Sequence, residues 1–179
     1  MDIQLGALNS WSFRVSAAPT RNWVAEYSYG YLQRPEALDP GNERREGASL
    51  EYNRPLTNGN WATSLIWGRK RKLLDDTVQN SYLLESTLNF RKRNYAYTRL
   101  ELVDKDKLFP QAATHPSFRI GAYTFGGVRD VVQNHHWQLG LGADVVFYSK
   151  PDVLDPVYGN RPVSFHAFLR LRPGSRHGH

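Results

Sequence analysis

At 179 residues the chain is long enough for one domain and gives no sign of two, and with no Cys it excludes a disulfide framework or a thiolate metal site. A formal net charge of +6 points to acidic partners. Nucleic acid is excluded among them, because the basic residues are spread over several segments and match no recognised binding module.

Absent Cys is compatible with an oxidising envelope compartment. No apolar run reaches the length of a membrane helix, and Met1-Asp2 leads directly into a strand pattern without a signal peptide, as expected of a mature form or a fragment. A mean hydropathy of −0.59 describes a soluble globule on average. That average misleads for a transmembrane β-barrel, in which half of every strand faces an aqueous or polar lumen. Ten Tyr, eight Phe and five Trp ask for a surface that aromatic side chains prefer.

Strand alternation runs along the whole chain. Ile3, Leu5, Ala7, Trp11, Phe13, Val15 and Ala17 share one parity against Gln4, Gly6, Ser10, Ser12, Arg14 and Ser16, and Pro19 to Asn22 form a turn. Trp23, Ala25, Tyr27, Tyr29 and Tyr31 then oppose Glu26, Ser28 and Gly30, followed by a long polar connection from Arg34 to Arg45. A short third strand sets Ala48, Leu50 and Tyr52 against Glu51, and Asn58-Gly59 supplies a hairpin turn with positive φ angles. The fourth strand carries Trp61, Thr63, Leu65 and Trp67 outward before the basic run Arg69 to Lys72. In the fifth, Tyr82, Leu84, Leu88 and Phe90 oppose Ser81, Glu85, Thr87, Asn89 and Arg91. The sixth points Ala96, Thr98, Leu100 and Leu102 outward, so that Arg99 and Glu101 face inward together. After a second long connection, from Asp104 to Pro116, the seventh strand spans 118–128 and accepts either parity.

The eighth strand is the clearest. Trp137, Leu139, Leu141, Ala143, Val145 and Phe147 alternate with Gln138, Gly140, Gly142, Asp144 and Tyr148, with Val146 as the apolar exception. Here Gly140 and Gly142 give a bulky inward side chain room to approach. A loop from Ser149 to Arg161 precedes the last strand, where Val163, Phe165, Ala167, Leu169 and Leu171 oppose His166, Arg170 and Arg172. The domain spans 1–173, and 174–179 reads as a disordered tail.

Connections between the nine strands alternate strictly between short and long, as in outer-membrane barrels with short periplasmic turns and long outer loops. Trp23, Trp61 and Trp137 each open a strand after a short turn, while Tyr31, Trp67 and Phe147 lie towards the other end. That is the pattern of two aromatic membrane belts. The sequence therefore predicts an all-β, antiparallel, up-and-down transmembrane β-barrel of 8–10 strands, or part of a larger one. A soluble all-β barrel or sandwich with the apolar face as an ordinary core, in function a lipocalin-like ligand-binding barrel, is the competing expectation.

The segments 28–41 (SYGYLQRPEALDPG), 48–72 (ASLEYNRPLTNGNWATSLIWGRKRK), 80–94 (NSYLLESTLNFRKRN) and 155–173 (DPVYGNRPVSFHAFLRLRP) resemble bacterial outer-membrane β-barrel proteins, above all an uncharacterised group of larger barrels. The resemblance covers most of the chain. It implies a barrel fold in the bacterial outer membrane, with the bilayer and the barrel-assembly machinery as partners, and no substrate or catalytic residues. Members are longer, so the chain matches their C-terminal portion. Two features depart from the pattern: nine strands where bacterial barrels have an even number, and Pro173 onward in place of a terminal aromatic.

Under this parity Arg14, Glu26, Glu51, Glu85, Arg91, Arg99, Glu101, Asp144, His166, Arg170 and Arg172 line the lumen. They either pair across strands and fill it, or form a charge ladder that biases which small polar solutes pass. The first gives a structural or surface-interaction barrel with a plugged lumen, the second a porin-like channel. Ser164 and His166 share a face but stand roughly 7 Å apart as neighbours two residues along a strand, and no nucleophile elbow or motif-placed carboxylate accompanies them, so no enzyme is expected. His135 and His136 point to opposite faces. No cofactor or metal is expected, and the basic residues Arg44-Arg45 and Arg69 to Lys72 are candidates for lipid phosphates at the outer surface.

Overall fold

The computed structural model describes residues 9–35, 41–106 and 116–174. They form one antiparallel sheet of nine strands in sequence order: β1 (Trp11–Thr20), β2 (Trp23–Gln33), β3 (Asn42–Leu56), β4 (Gly59–Lys72), β5 (Val78–Phe90), β6 (Asn94–Lys105), β7 (Phe118–Gln133), β8 (Trp137–Ser149) and β9 (Val163–Pro173). Among the described residues each strand pairs only with its neighbours in sequence, so β1 and β9 are free edges and the sheet is open. Short turns at 21–22, 57–58, 91–93 and 134–136 lie at one end; β2, β4, β6 and β8 end at the other.

Cross-strand register carries one parity through all nine strands. Phe13 pairs with Tyr29, Ala25 with Leu50, Leu50 with Leu65, Leu65 with Leu84, Leu84 with Leu100, Leu100 with Tyr123, Phe125 with Val145 and Val145 with Phe165. These residues form an apolar face. The sixth strand takes the expected parity, and the seventh is now fixed, with Tyr123 and Phe125 on the apolar face and Thr124, Gly126 and Val128 on the other.

Several boundaries differ from the sequence reading, each for a physical reason. β1 runs through Pro19, which an edge strand tolerates, at a register shift between Ala17 and Thr20. The third strand is long rather than short. Arg44 and Arg45 lie within it and the basic run lies within β4; opposite charges meet across the ladder at Glu43–Lys72 and Glu46–Arg69, and Glu43 also pairs with Arg45 and Lys70, although Arg44 faces Arg71. Gly59 does not have a positive φ; those angles fall at Arg91 (52°) and Lys92 (62°) in the next short turn. Glycine is needed at 59 because a Cβ there would collide with the Asn89 carbonyl. β7 continues to Gln133 through a bulge between Asp130 and Val132. The expected loop after β8 contains a 3₁₀ turn (Asp152–Leu154) and a helical turn α1 (Asp155–Tyr158). Ile3, Leu5, Ala7 and 175–179 lie outside the described residues.

Among the described residues only Val128, Val146 and Leu154 are buried hydrophobics, whereas Trp23, Leu141 and Phe165 are 39%, 51% and 77% exposed. The apolar face therefore has no protein core against it. No described helix is long and apolar enough to cross a membrane, which leaves strands unaddressed.

Candidate functional site

The polar face is built from the alternate residues of every strand, and four clusters stand on it. Asp130, only 1% exposed, accepts hydrogen bonds from Arg170 (2.9 Å), Arg172 (2.7 Å) and Gln133 (3.3 Å). Arg172 also donates to Tyr95 Oη (3.1 Å) and Gln138 Oε1 (2.9 Å), and the Arg170 guanidinium lies 4.1 Å from the centre of the Tyr95 ring. Side chains of four strands thus join one network around the Asp130 carboxylate and its two arginines.

One step further along, Tyr97 donates to Asp144 Oδ2 (2.7 Å) and His166 Nδ1 lies 2.6 Å from Asp144 Oδ1. Glycine makes the first approach possible, since a Cβ at Gly126 would meet the Tyr97 ring; nearby, a Cβ at Gly142 would lie 2.5 Å from Phe168 Cζ. The room that the sequence assigns to Gly142 is taken by that inward ring. Arg99 bridges Glu85 (2.7 Å) and Glu101 (2.8 Å), and Arg14 pairs with Glu26 (3.2 Å), which also accepts from Ser16 (3.0 Å).

Of the eleven residues assigned to this face, ten share it. Arg91 does not, since it sits in the 91–93 turn with a left-handed φ of 52°. Glu51 is on the face and makes no ion pair among the described residues. Asp130, Tyr95 and Tyr97 were missed; continuing the alternation Thr124, Gly126, Val128 two residues further finds Asp130. His166 does have a carboxylate partner, because Asp144 is its direct cross-strand neighbour, a relation no local motif encodes. His135 and His136 lie in the 134–136 turn rather than on a strand. No described group of three or more His, Cys, Asp or Glu is placed to hold a metal.

At the long-loop end the 150–162 connection folds over the polar face. Leu154, 1% exposed, shares a cavity of about 250 Å³ with Tyr158 and Pro162 of the loop and Lys105, Ile120 and Tyr148 of the sheet. The parity-breaking Val146 lines the adjoining cleft with Val103 and Ile120. Lys150 pairs with Asp155 within the loop.

The opposite face ends in aromatics on both sides. Trp23, Tyr52 and Trp61 are in contact near the short turns, with ring centroids 4.6 and 5.3 Å apart. Trp11, which the sequence reading left out of either belt, packs on Tyr29 at 5.3 Å towards the other end, where Tyr31, Trp67 and Phe147 also lie. Mid-face hydroxyls are engaged: Thr63 donates to the Glu85 carbonyl (2.8 Å), Thr98 to the Thr124 carbonyl (3.0 Å), and Ser86 accepts from the Trp61 indole (3.0 Å).

No family model matches the chain, and no curated protein or solved structure matches it either.

Proposed function

We propose that the sheet is wall of an outer-membrane β-barrel and that its polar face lines a passage for small polar solutes. The observation that carries this reading is the stagger of the two aromatic belts. Following paired residues from Trp23 leads to Thr63 on β4, two residues past Trp61; from Trp61 it leads to Ala143 on β8, six residues past Trp137. From Tyr31 the path reaches Arg71, four residues past Trp67, and from Trp67 it reaches Ser149, two past Phe147. Both belts drift the same way across six strand steps, one by eight residues and the other by six. With a rise of about 3.3 Å and a strand spacing of about 4.8 Å, level belts require strands tilted by roughly 35–42°. Transmembrane barrels have that tilt. The engaged hydroxyls on the apolar face agree, because hydrocarbon offers them no other partner.

Nine strands leave β1 and β9 running in the same direction. Closing the wall takes either a parallel seam or an odd number of further strands, since antiparallel neighbours must alternate.

Conductance of the purified chain in a planar bilayer tests the passage; discrete steps support it, and a silent, inserted chain contradicts it. A plugged, structural barrel is the second reading, favoured by the pairing of most polar-face charges and by the 150–162 loop lying over that face.

A further inference from the structure

The basic run at 69–72 is divided by the strand it belongs to. Lys70 and Lys72 fall on the polar face, where Lys70 stands 3.9 Å from Glu43 and Lys72 pairs with Asp106. Arg69 and Arg71 fall on the apolar face, with Arg69 two residues beyond Trp67. Arg71 is directly opposite Arg44, and Arg69 directly opposite Glu46. Two guanidinium groups paired across a ladder repel one another, and an anion held between them relieves that repulsion. Arg71 is met by Asp76 (2.6 Å), but Arg44 and Arg69 make no ion pair among the described residues. These three arginines, Glu46 and Tyr29 line a small cleft of about 110 Å³.

We propose that this cleft binds the phosphate of a membrane lipid headgroup. The inference rests on the membrane reading of the apolar face: the cleft lies beside Tyr31, which pairs with Arg44, and past Trp67 on β4, where headgroup phosphates lie next to an aromatic belt. Planar guanidinium forks match a phosphate in two-point fashion, which a single ammonium does not. An anion between Arg44 and Arg71 turns their repulsion into a shared contact. At the opposite end, Arg54 and Arg129 stand on the same face without this arrangement, since Arg54 is paired with Trp61 and Arg129 with Leu141.

The test titrates the detergent-solubilised full chain with dihexanoyl phosphatidate, dihexanoyl phosphatidylcholine and inorganic phosphate in a calorimeter. Phosphatidate should bind on the order of tenfold tighter than phosphatidylcholine, and R44Q/R69Q should remove most of that difference. Arg129→Gln should leave it unchanged. Equal affinities for the two lipids, or a preference that survives R44Q/R69Q, overturns the site. Inorganic phosphate binding as tightly as phosphatidate overturns the lipid assignment. Unfolding supplies a second readout. Arg44→Gln should stabilise the chain without phosphatidate, by relieving repulsion, and lower its stabilisation by phosphatidate; a variant inert in both conditions contradicts the proposal. A chain that prefers phosphatidate but does not insert into bilayers retains the site and loses the membrane reading. One that inserts with no preference loses the site alone.

Discussion

Asp130 accepts from two arginines of β9 while almost wholly withdrawn from solvent, so its charge is matched only by its partners. Removing one member of such an arrangement leaves the others uncompensated, which is far more damaging than losing a surface pair. Asp130→Ala should lower unfolding free energy by about 3 kcal/mol, read from urea unfolding in detergent micelles, whereas Glu51→Gln should stay within about 0.5 kcal/mol. Equal losses would mean that the Asp130 cluster contributes nothing beyond surface charge. Outside the sheet's middle, Asp106 gives a pH signature. Burial pushes its pKa up, but hydrogen bonds from Lys72 and Gln79 and the Lys72 charge outweigh it and hold the carboxyl below its ordinary value. A carboxyl depressed on folding stabilises above the ordinary carboxylate range and loses that contribution as pH falls through the depressed value. The stability gap between the parent and Asp106→Asn should therefore be full at pH 6 and close in acid; a gap independent of pH contradicts the pairing.

At the scale of the strand, parity decides what a substitution meets. Leu141→Arg places a cation on the apolar face and should cost about 2–4 kcal/mol if that face lies near mid-bilayer. Ser164→Arg, on the polar face beside Val146, should cost far less in the same refolding assay; similar losses at both positions would contradict the assigned faces. At Gln138, also on the polar face, an added cation would instead meet Arg172, which donates to that side chain. Parity was legible from local sequence wherever apolar and polar residues alternated cleanly, as from Trp137 to Val145. It failed where charge took the place of hydrophobicity. Glu43 to Arg45 and Arg69 to Lys72 read as loop by composition, yet they are strand: Glu43 faces Lys72 across the ladder and also meets Arg45 and Lys70, while Arg44 is left opposite Arg71. Asp144 as the partner of His166, and Asp130 as the hub of β9, are likewise products of register, which no single segment contains.

For the whole molecule, the account we propose is a sheet turned inside out relative to a soluble sandwich, with its greasy side towards lipid and most of its charges matched on the other. The nine-strand order, the alternation of short and long connections and the two belts follow from the sequence; the stagger that makes the belts level becomes measurable only with the register in hand. A spin-label scan along β8 in reconstituted vesicles tests this most directly. Labels at 139, 141, 143 and 145 should be relaxed by oxygen, which partitions into lipid, and labels at 138, 140 and 144 by a water-soluble nickel chelate, with a period of two. Relaxation by the nickel chelate at every position, or protection of 139, 141, 143 and 145 from both reagents as in a packed protein core, would contradict it.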